Sequence, residues 1–284
     1  MLNLIKMDFY RLFHSKVGKI GLIIAIASAL LLTLGNYGIY SILNLVIENE
    51  NAAAGGYTPQ DYADMATIFP TILWNLYGVN GADVVFHLTN ALSLFIACML
   101  SAIFVSAEQT SGYVKNIAGQ VRYKGYTVGS KLVVTSFIHF VVLAIYTIIA
   151  LLLAPILFKA CITGWDIPVL IGGLLLRLVI FFAINSLIVF LCLTFKSQSF
   201  SMVCGAILGI GALQLVYLAI GALINVVKEG LNFEPGKYMP DGINGMISIA
   251  QIGNIWVQGL IVSILFIVGF SSATIYIVSK RDVK

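Results

Sequence analysis

Long apolar runs alternate with short polar segments along the whole chain. A helix needs about 20 mostly apolar residues to cross the hydrocarbon core of a bilayer. Six runs reach that length, which predicts membrane-spanning helices at residues 17–47, 84–106, 132–158, 168–194, 200–227 and 254–279. The first run contains Gly35, Asn36 and Gly38, so we expect its far end to bend or to stop early.

Residues 1–16 show a different pattern, in which apolar and polar positions occupy opposite faces of a helix. The apolar face carries Leu2, Ile5, Phe9 and Leu12. This amphipathic pattern predicts a helix that lies in the membrane interface. A cap that packs on the rest of the protein is the alternative.

Composition agrees with an integral membrane protein. Charged residues make up 10% of the chain and hydrophobic residues 60%, whereas a soluble domain has roughly 25% charged residues. The basic residues are not gathered into one patch, which argues against nucleic acid as a partner. No disulfide framework or metal-binding set is predicted, because all four cysteines lie in or beside apolar runs: Cys98, Cys161, Cys192 and Cys204.

The basic residues predict the orientation. Three of them lie on one side of the predicted spans, at Lys159, Lys228 and Lys237. Twelve lie on the other side: Lys6, Arg11, Lys16, Lys19, Lys115, Arg122, Lys124, Lys131, Lys196, Lys280, Arg281 and Lys284. Because basic residues accumulate on the cytosolic side of a membrane, both termini and residues 107–131 are predicted to be cytosolic. Residues 48–83 are then an acidic extracellular loop.

The chain carries none of the motifs of common enzyme sites, such as a P-loop, HExxH, CxxC or GxSxG. Its histidines, His14, His87 and His139, lie far apart in sequence. The last two are on apolar spans, where we expect packed histidines or histidines that form hydrogen bonds between helices. We therefore predict no catalytic, cofactor-binding or metal-binding residues, and no enzyme activity.

Arg177 is the one basic residue inside a predicted span. It lies about nine residues into the fourth span, which corresponds to about 13 Å at the rise of an α-helix. Two interpretations remain open. The side chain can extend to the nearer headgroups, or it can line a cavity and pair with an acidic residue or an anionic group of a substrate.

Other polar residues within the spans are weaker candidates. Gly205 and Gly209 have the spacing that allows two helices to pack closely. A second set can line a pathway or form hydrogen bonds between helices: Asn185, Ser186, Gln214 and Asn225. Arg177, Asn185 and Gln214 are the candidate pathway residues.

Residues 107–131 form a long polar island that is clearly basic. Tyr113, Ile117 and Val121 recur at helical spacing, which predicts a short helix with one apolar stripe, beginning near Ser111. Such a helix can rest on lipid headgroups or bind a soluble partner. Proline and glycine before the last span predict turns and a short outer or re-entrant helix.

This order of parts resembles the type-2 class of ABC exporter permeases. The resemblance in layout covers the whole chain, and the motif resemblance is strongest at Glu108-xxx-Gly112-xx-Lys115-Asn116-Ile117. It implies one all-α permease domain, residues 1–284. Residues 1–16 are then an elbow helix, and residues 107–131 are a coupling segment between spans two and three.

The resemblance also implies partners. A separate cytosolic ATPase subunit would supply ATP and Mg, and this chain would bind no cofactor directly. A second permease copy, identical or different, would complete the pathway in the lipid bilayer of a bacterial cell membrane. The residues expected to contact the ATPase are Glu108, Gly112, Tyr113, Lys115, Asn116, Ile117 and Arg122.

Small permeases of this class resemble exporters of amphipathic or antimicrobial peptides, or the corresponding immunity proteins. Peptide export is therefore the expected function. Two alternatives stay open: efflux of a lipid, drug or ion by a permease of the same class, and a six-span membrane protein that does not transport.

Overall fold

The computed structural model describes residues 1–52, 78–110, 125–195, 197–227 and 233–280. In this part of the chain, two very short strands, β1 (Val79–Asn80) and β2 (Ile162–Gly164), accompany a set of helices. The helices are α1 (Leu2–His14), α2 (Lys16–Ala52), α3 (Gly81–Leu88), α4 (Ala91–Thr110), α5 (Gly125–Leu157), α6 (Ile167–Phe195), α7 (Gln198–Ile210), α8 (Leu213–Val227), a 3₁₀ helix (Pro235–Tyr238), α9 (Pro240–Gly245) and α10 (Ile249–Lys280).

Five helical stretches of the described chain are long and apolar enough to cross a membrane, and a sixth exists if α7 and α8 count together. This result confirms an all-α, multi-pass membrane protein. Helices α3 and α4 together make the second stretch, which extends from Gly81 to Ala107. The short helices expected before the last span are present as the 3₁₀ helix and α9, and the last span begins at Ile249 rather than at residue 254.

Helix α2 corrects the prediction for the first span. It continues through Gly35, Asn36 and Gly38 without a break and ends at Ala52. The Asn36 side chain is compatible with the helix because its Nδ2 donates to the carbonyl of Leu32 (2.9 Å). The loop predicted at 48–83 is therefore shorter than expected, since helix occupies both of its ends. Residues 53–77 lie outside the described part.

The predicted fifth span is bent. Helices α7 and α8 meet at an angle of 66°. Gly211 lies at the bend with φ +77°, a left-handed conformation that favours glycine because it has no Cβ. The bend matters for the site because it directs α8 away from the direction of α7.

Close helix packing organises the interior. A Cβ added to Gly209 on α7 would lie 2.3 Å from the Cα of Phe95 on α4, so only glycine permits this approach. The small-residue prediction is thereby confirmed as packing within one chain. Helices α6 and α10 run in the same direction, with Trp256 Nε1 donating to the carbonyl of Gly172 (3.1 Å).

The protein has two distinct ends. Strands β1 and β2 pair in parallel, Val79 opposite Ile162, and join the start of α3 to the start of α6. The 3₁₀ helix and α9 lie at this end too, which we call the strand end. Helix α1, the start of α5 and the last residues of α10 lie at the opposite end, which we call the α1 end.

Candidate functional site

One of the expected coupling residues lies in the described part of the chain. Glu108 is in the last turn of α4, where the structure describes only the backbone. The others lie outside the described residues: Gly112, Tyr113, Lys115, Asn116, Ile117 and Arg122. Helix α5 begins at Gly125, earlier than residue 132. The last part of the predicted coupling segment is therefore the first turns of a spanning helix.

A buried ion pair attaches α1 to this start of α5. Lys131 Nζ donates to Asp8 Oδ1 at 2.7 Å, and Ser130 Oγ donates to Asp8 Oδ2 at 2.5 Å. Asp8 is only 1% exposed. Hydrogen bonds between charged groups are among the stronger ones in proteins, so this contact fixes α1 against α5.

Helix α1 combines the two alternatives considered for it. The face that carries Asp8 packs on the protein, as a cap would. Leu2, Tyr10 and Phe13 remain largely exposed, which suits a helix that also contacts lipid. The ring of Phe9 packs edge-on against Phe137 of α5, with 5.1 Å between centroids.

Arg177 lies in a polar cluster near the strand end and is 1% exposed. Its Nε donates to Asn244 Oδ1 at 3.0 Å, and its Nη1 donates to the carbonyl of Phe86 at 2.8 Å and to the hydroxyl of Thr89. Asn244 Nδ2 in turn donates to Asn90 Oδ1 at 2.9 Å. The side chain therefore connects α6 to α9 and to the break between α3 and α4.

The burial of Arg177 does not fit the interpretation that its side chain extends to the headgroups. The guanidinium does not extend to the protein surface, and no carboxylate of the described residues forms an ion pair with it. The reason is local: the break after α3 leaves the Phe86 carbonyl accessible, and α9 contributes both the side chain and the carbonyl of Asn244. Its role in a pathway remains a prediction.

The other polar candidates divide into two groups. Asn185 and Ser186 form hydrogen bonds between helices: Asn185 Nδ2 donates to Ser136 Oγ on α5 (3.0 Å), and Ser186 Oγ donates to the Phe266 carbonyl on α10 (3.3 Å). Gln214 and Asn225 instead line a cavity. The two span histidines behave as expected. His87 forms a hydrogen bond between helices with Asn36, and His139 forms one with Ser101.

The cavity has a volume of about 410 Å³ and lies between α8, the 3₁₀ helix and α9. Four of its lining residues, Gln214, Tyr217, Gly221 and Asn225, lie on one face of α8 at positions i, i+3, i+7 and i+11. This spacing was visible in the sequence, but it was not recognised because Tyr217 and Gly221 are common in apolar helices. The residue that holds Tyr217 was also missed.

That residue is Asp241 in the first turn of α9. Tyr217 donates its hydroxyl to both carboxylate oxygens of Asp241, at 3.0 and 3.2 Å. Burial raises the pKa of Asp241 above its usual range. At the far end of α8, the backbone N–H of Phe233 donates to Asn225 Oδ1 at 2.8 Å. These contacts hold α8 against the strand end and close the cavity on that side.

Comparison with known proteins adds no further assignment, since no protein-family model matches the chain and no curated protein matches it significantly.

Proposed function

We propose that this chain is the membrane permease subunit of an ATP-driven exporter, of the type-2 ABC class that its layout resembles. In this proposal the α1 end is cytosolic, because it carries most of the basic residues of the chain. Two permease copies, identical or different, form the pathway in the cell membrane of a bacterium. A separate ATPase subunit binds residues 107–131 and supplies ATP and Mg.

The observation that supports this proposal best is the buried pair of Asp8 and Lys131. Lys131 lies on α5, nine residues after Arg122, which is the last residue of the coupling segment expected to contact the ATPase. A displacement of that segment would therefore be passed to α5 directly and to α1 through the ion pair. Coupling of this kind needs rigid elements that move as units, and the buried pair makes α1 and α5 one such unit.

The proposed cargo is an amphipathic peptide. The cavity beside α8 supports an amphipathic cargo over an inorganic ion, because apolar side chains and hydrogen-bonding side chains both line it. Efflux of a lipid or a drug by the same class of permease is the second candidate, and the same observation favours it over ion transport.

The test looks for a P-loop ATPase encoded beside this chain and reconstitutes the two proteins together. We expect the two chains to copurify and ATP hydrolysis in proteoliposomes to rise when amphipathic peptides are added. Ile117→Asp should abolish copurification, because it places a charge on the apolar stripe of the coupling segment. Lys159→Glu, at the other end of the protein, is the matched control and should copurify normally.

Absence of any copurifying ATPase, or equal binding of the ATPase to the Ile117→Asp variant, would contradict the proposal. Stimulation by lipids or drugs, but not by peptides, would keep the permease assignment and replace the cargo by that of the second candidate.

A further inference from the structure

Helix α8 forms one wall of the cavity, and two of the lining residues on this helix, Leu218 and Ala222, are themselves exposed. Leu215, Leu223 and Val226 on its other faces are 67–78% exposed. Exposed aliphatic side chains in this number are stable in lipid rather than in water. The cavity is therefore open beside a helix that faces the bilayer.

The cavity lining has two kinds of surface. Leu218, Ala222 and Met246 supply apolar contacts, and the polar face of α8 supplies hydrogen-bonding groups. Gln214 and Asn225 are eleven residues apart, which is about 16 Å along a helix. Such a site suits an elongated molecule that is apolar along its length and polar at one end.

The charges near the cavity select the head group. Glu234 lines the cavity, and the carboxylate of Asp241 lies directly behind the hydroxyl of Tyr217. Among the described lining residues there is no lysine or arginine. Lys237 is near but pairs with Glu234 at 2.9 Å, and both side chains are about half exposed. An anionic head group would meet like charge, whereas a neutral or cationic one would not.

The attachment of α8 gives a route of entry. Helix α7 packs firmly on α4 and α6, but α8 packs mainly on the 3₁₀ helix and α9. Gly211 at the bend lets α8 change direction at little steric cost. Leu218 and Ala222 line the cavity and are themselves exposed, so a molecule reaches the cavity beside α8 without disturbing the contact of α7 with α4.

We propose that this cavity binds a single-chain amphiphile with a neutral or cationic head group, which enters from the bilayer past α8. The site belongs to this chain alone, so the inference does not depend on an ATPase partner. It goes beyond the proposed transport function, because an amphiphile can occupy the site as cargo or as a bound lipid-like ligand.

The test measures binding of radiolabelled hexadecyltrimethylammonium to the purified full-length chain in phosphatidylcholine nanodiscs, after subtraction of empty nanodiscs. Ala222→Trp should fill the cavity and weaken binding at least tenfold. Ala219→Trp is the matched control, since Ala219 is an exposed alanine of the same helix that does not line the cavity. It should bind as the unmodified chain does.

Two further measurements control for misfolding and for selectivity toward the head group. Met246→Trp fills the cavity from the opposite wall and should weaken binding in the same way, with thermal unfolding used to verify that each variant is folded. Hexadecylphosphocholine should compete for the site, and hexadecyl sulfate should compete at least tenfold less well.

Binding that is unchanged in both filled variants, absence of specific binding, or preference for the sulfate would overturn the proposal. Because no ATPase is present, these outcomes do not affect the proposed coupling. Conversely, failure of the ATPase to bind residues 107–131 would leave this site intact.

Discussion

The two most deeply buried cations of the described chain are held in opposite ways. Lys131 at the α1 end meets the carboxylate of Asp8, so the pair has no net charge. Arg177 near the strand end meets only neutral oxygens, from Phe86, Thr89 and Asn244. In the first arrangement a carboxylate balances the charge, whereas the second distributes one charge over three neutral groups on two separate elements.

The difference predicts which substitution destabilises each contact. Loss of Asp8 leaves a buried ammonium group without its counter-charge. Removal of Arg177 relieves the protein of a buried charge but leaves several polar groups without a donor. The same kind of substitution should therefore have unequal consequences at the two ends, and the following predictions test that inequality.

Asp8→Ala should have the largest effect, a loss of about 3–5 kcal/mol in the free energy of unfolding, because breaking a buried ion pair leaves one charge uncompensated. Unfolding in mixed micelles measures it. The double variant Asp8→Leu with Lys131→Met is the control and should recover most of the loss, since it removes both charges. Equal stability of Asp8→Ala and the unmodified chain would remove the basis of the comparison.

Arg177→Met should cost less, roughly 2 kcal/mol. Each buried acceptor left unpaired costs about 1–3 kcal/mol, and removal of a desolvated charge offsets part of that sum. Arg177→Lys keeps the charge but reaches fewer acceptors, so we expect an intermediate loss in the same unfolding assay. If Arg177→Met is more damaging than Asp8→Ala, then Arg177 has a charged partner and its environment is not neutral.

The contact between Tyr217 and Asp241 should give the smallest effect, a slight dependence of the free energy of unfolding on pH. Burial raises the pKa of Asp241 above its ordinary value of 3.8, so the folded state binds the proton more tightly than the unfolded state. The stabilisation by protonation is complete below pH 3.8 and is lost as the pH rises through the raised value. Stability measured from pH 7 down to pH 4 should thus increase slightly more in the unmodified chain than in Asp241→Asn. Identical pH profiles would show that Asp241 is not buried by α8.

The sequence predicted much of the architecture because membrane spans follow from length and apolarity alone. It failed where polar residues decide the path of the chain. Gly211 is one of several glycines in an apolar run, and only its backbone conformation shows that the chain bends at this residue. Helix α2 continues to Ala52, five residues past its apolar run, and two of those five residues are glutamates, which favour helix.

The buried contacts were harder to predict than the helices. The partner of Asp8 could not be predicted from the sequence, since Lys131 is 123 residues away. Arg177 is buried, but its acceptors are uncharged and lie 67 to 91 residues away, so no charge pattern could reveal them. Gln214 was recognised as a cavity residue because a polar residue in an apolar helix needs a polar or wet environment.

The order of synthesis determines when each hydrogen-bond acceptor of Arg177 becomes available. Phe86 and Thr89 precede Arg177 in the chain, but Asn244 follows it by 67 residues. At a translation rate of about 5–20 residues per second, α6 exists for roughly 3–13 s before its last acceptor is made. During that interval the nascent α6 must keep its arginine beside the break between α3 and α4, or near water. Synthesis of α9 then supplies Asn244 and completes the network.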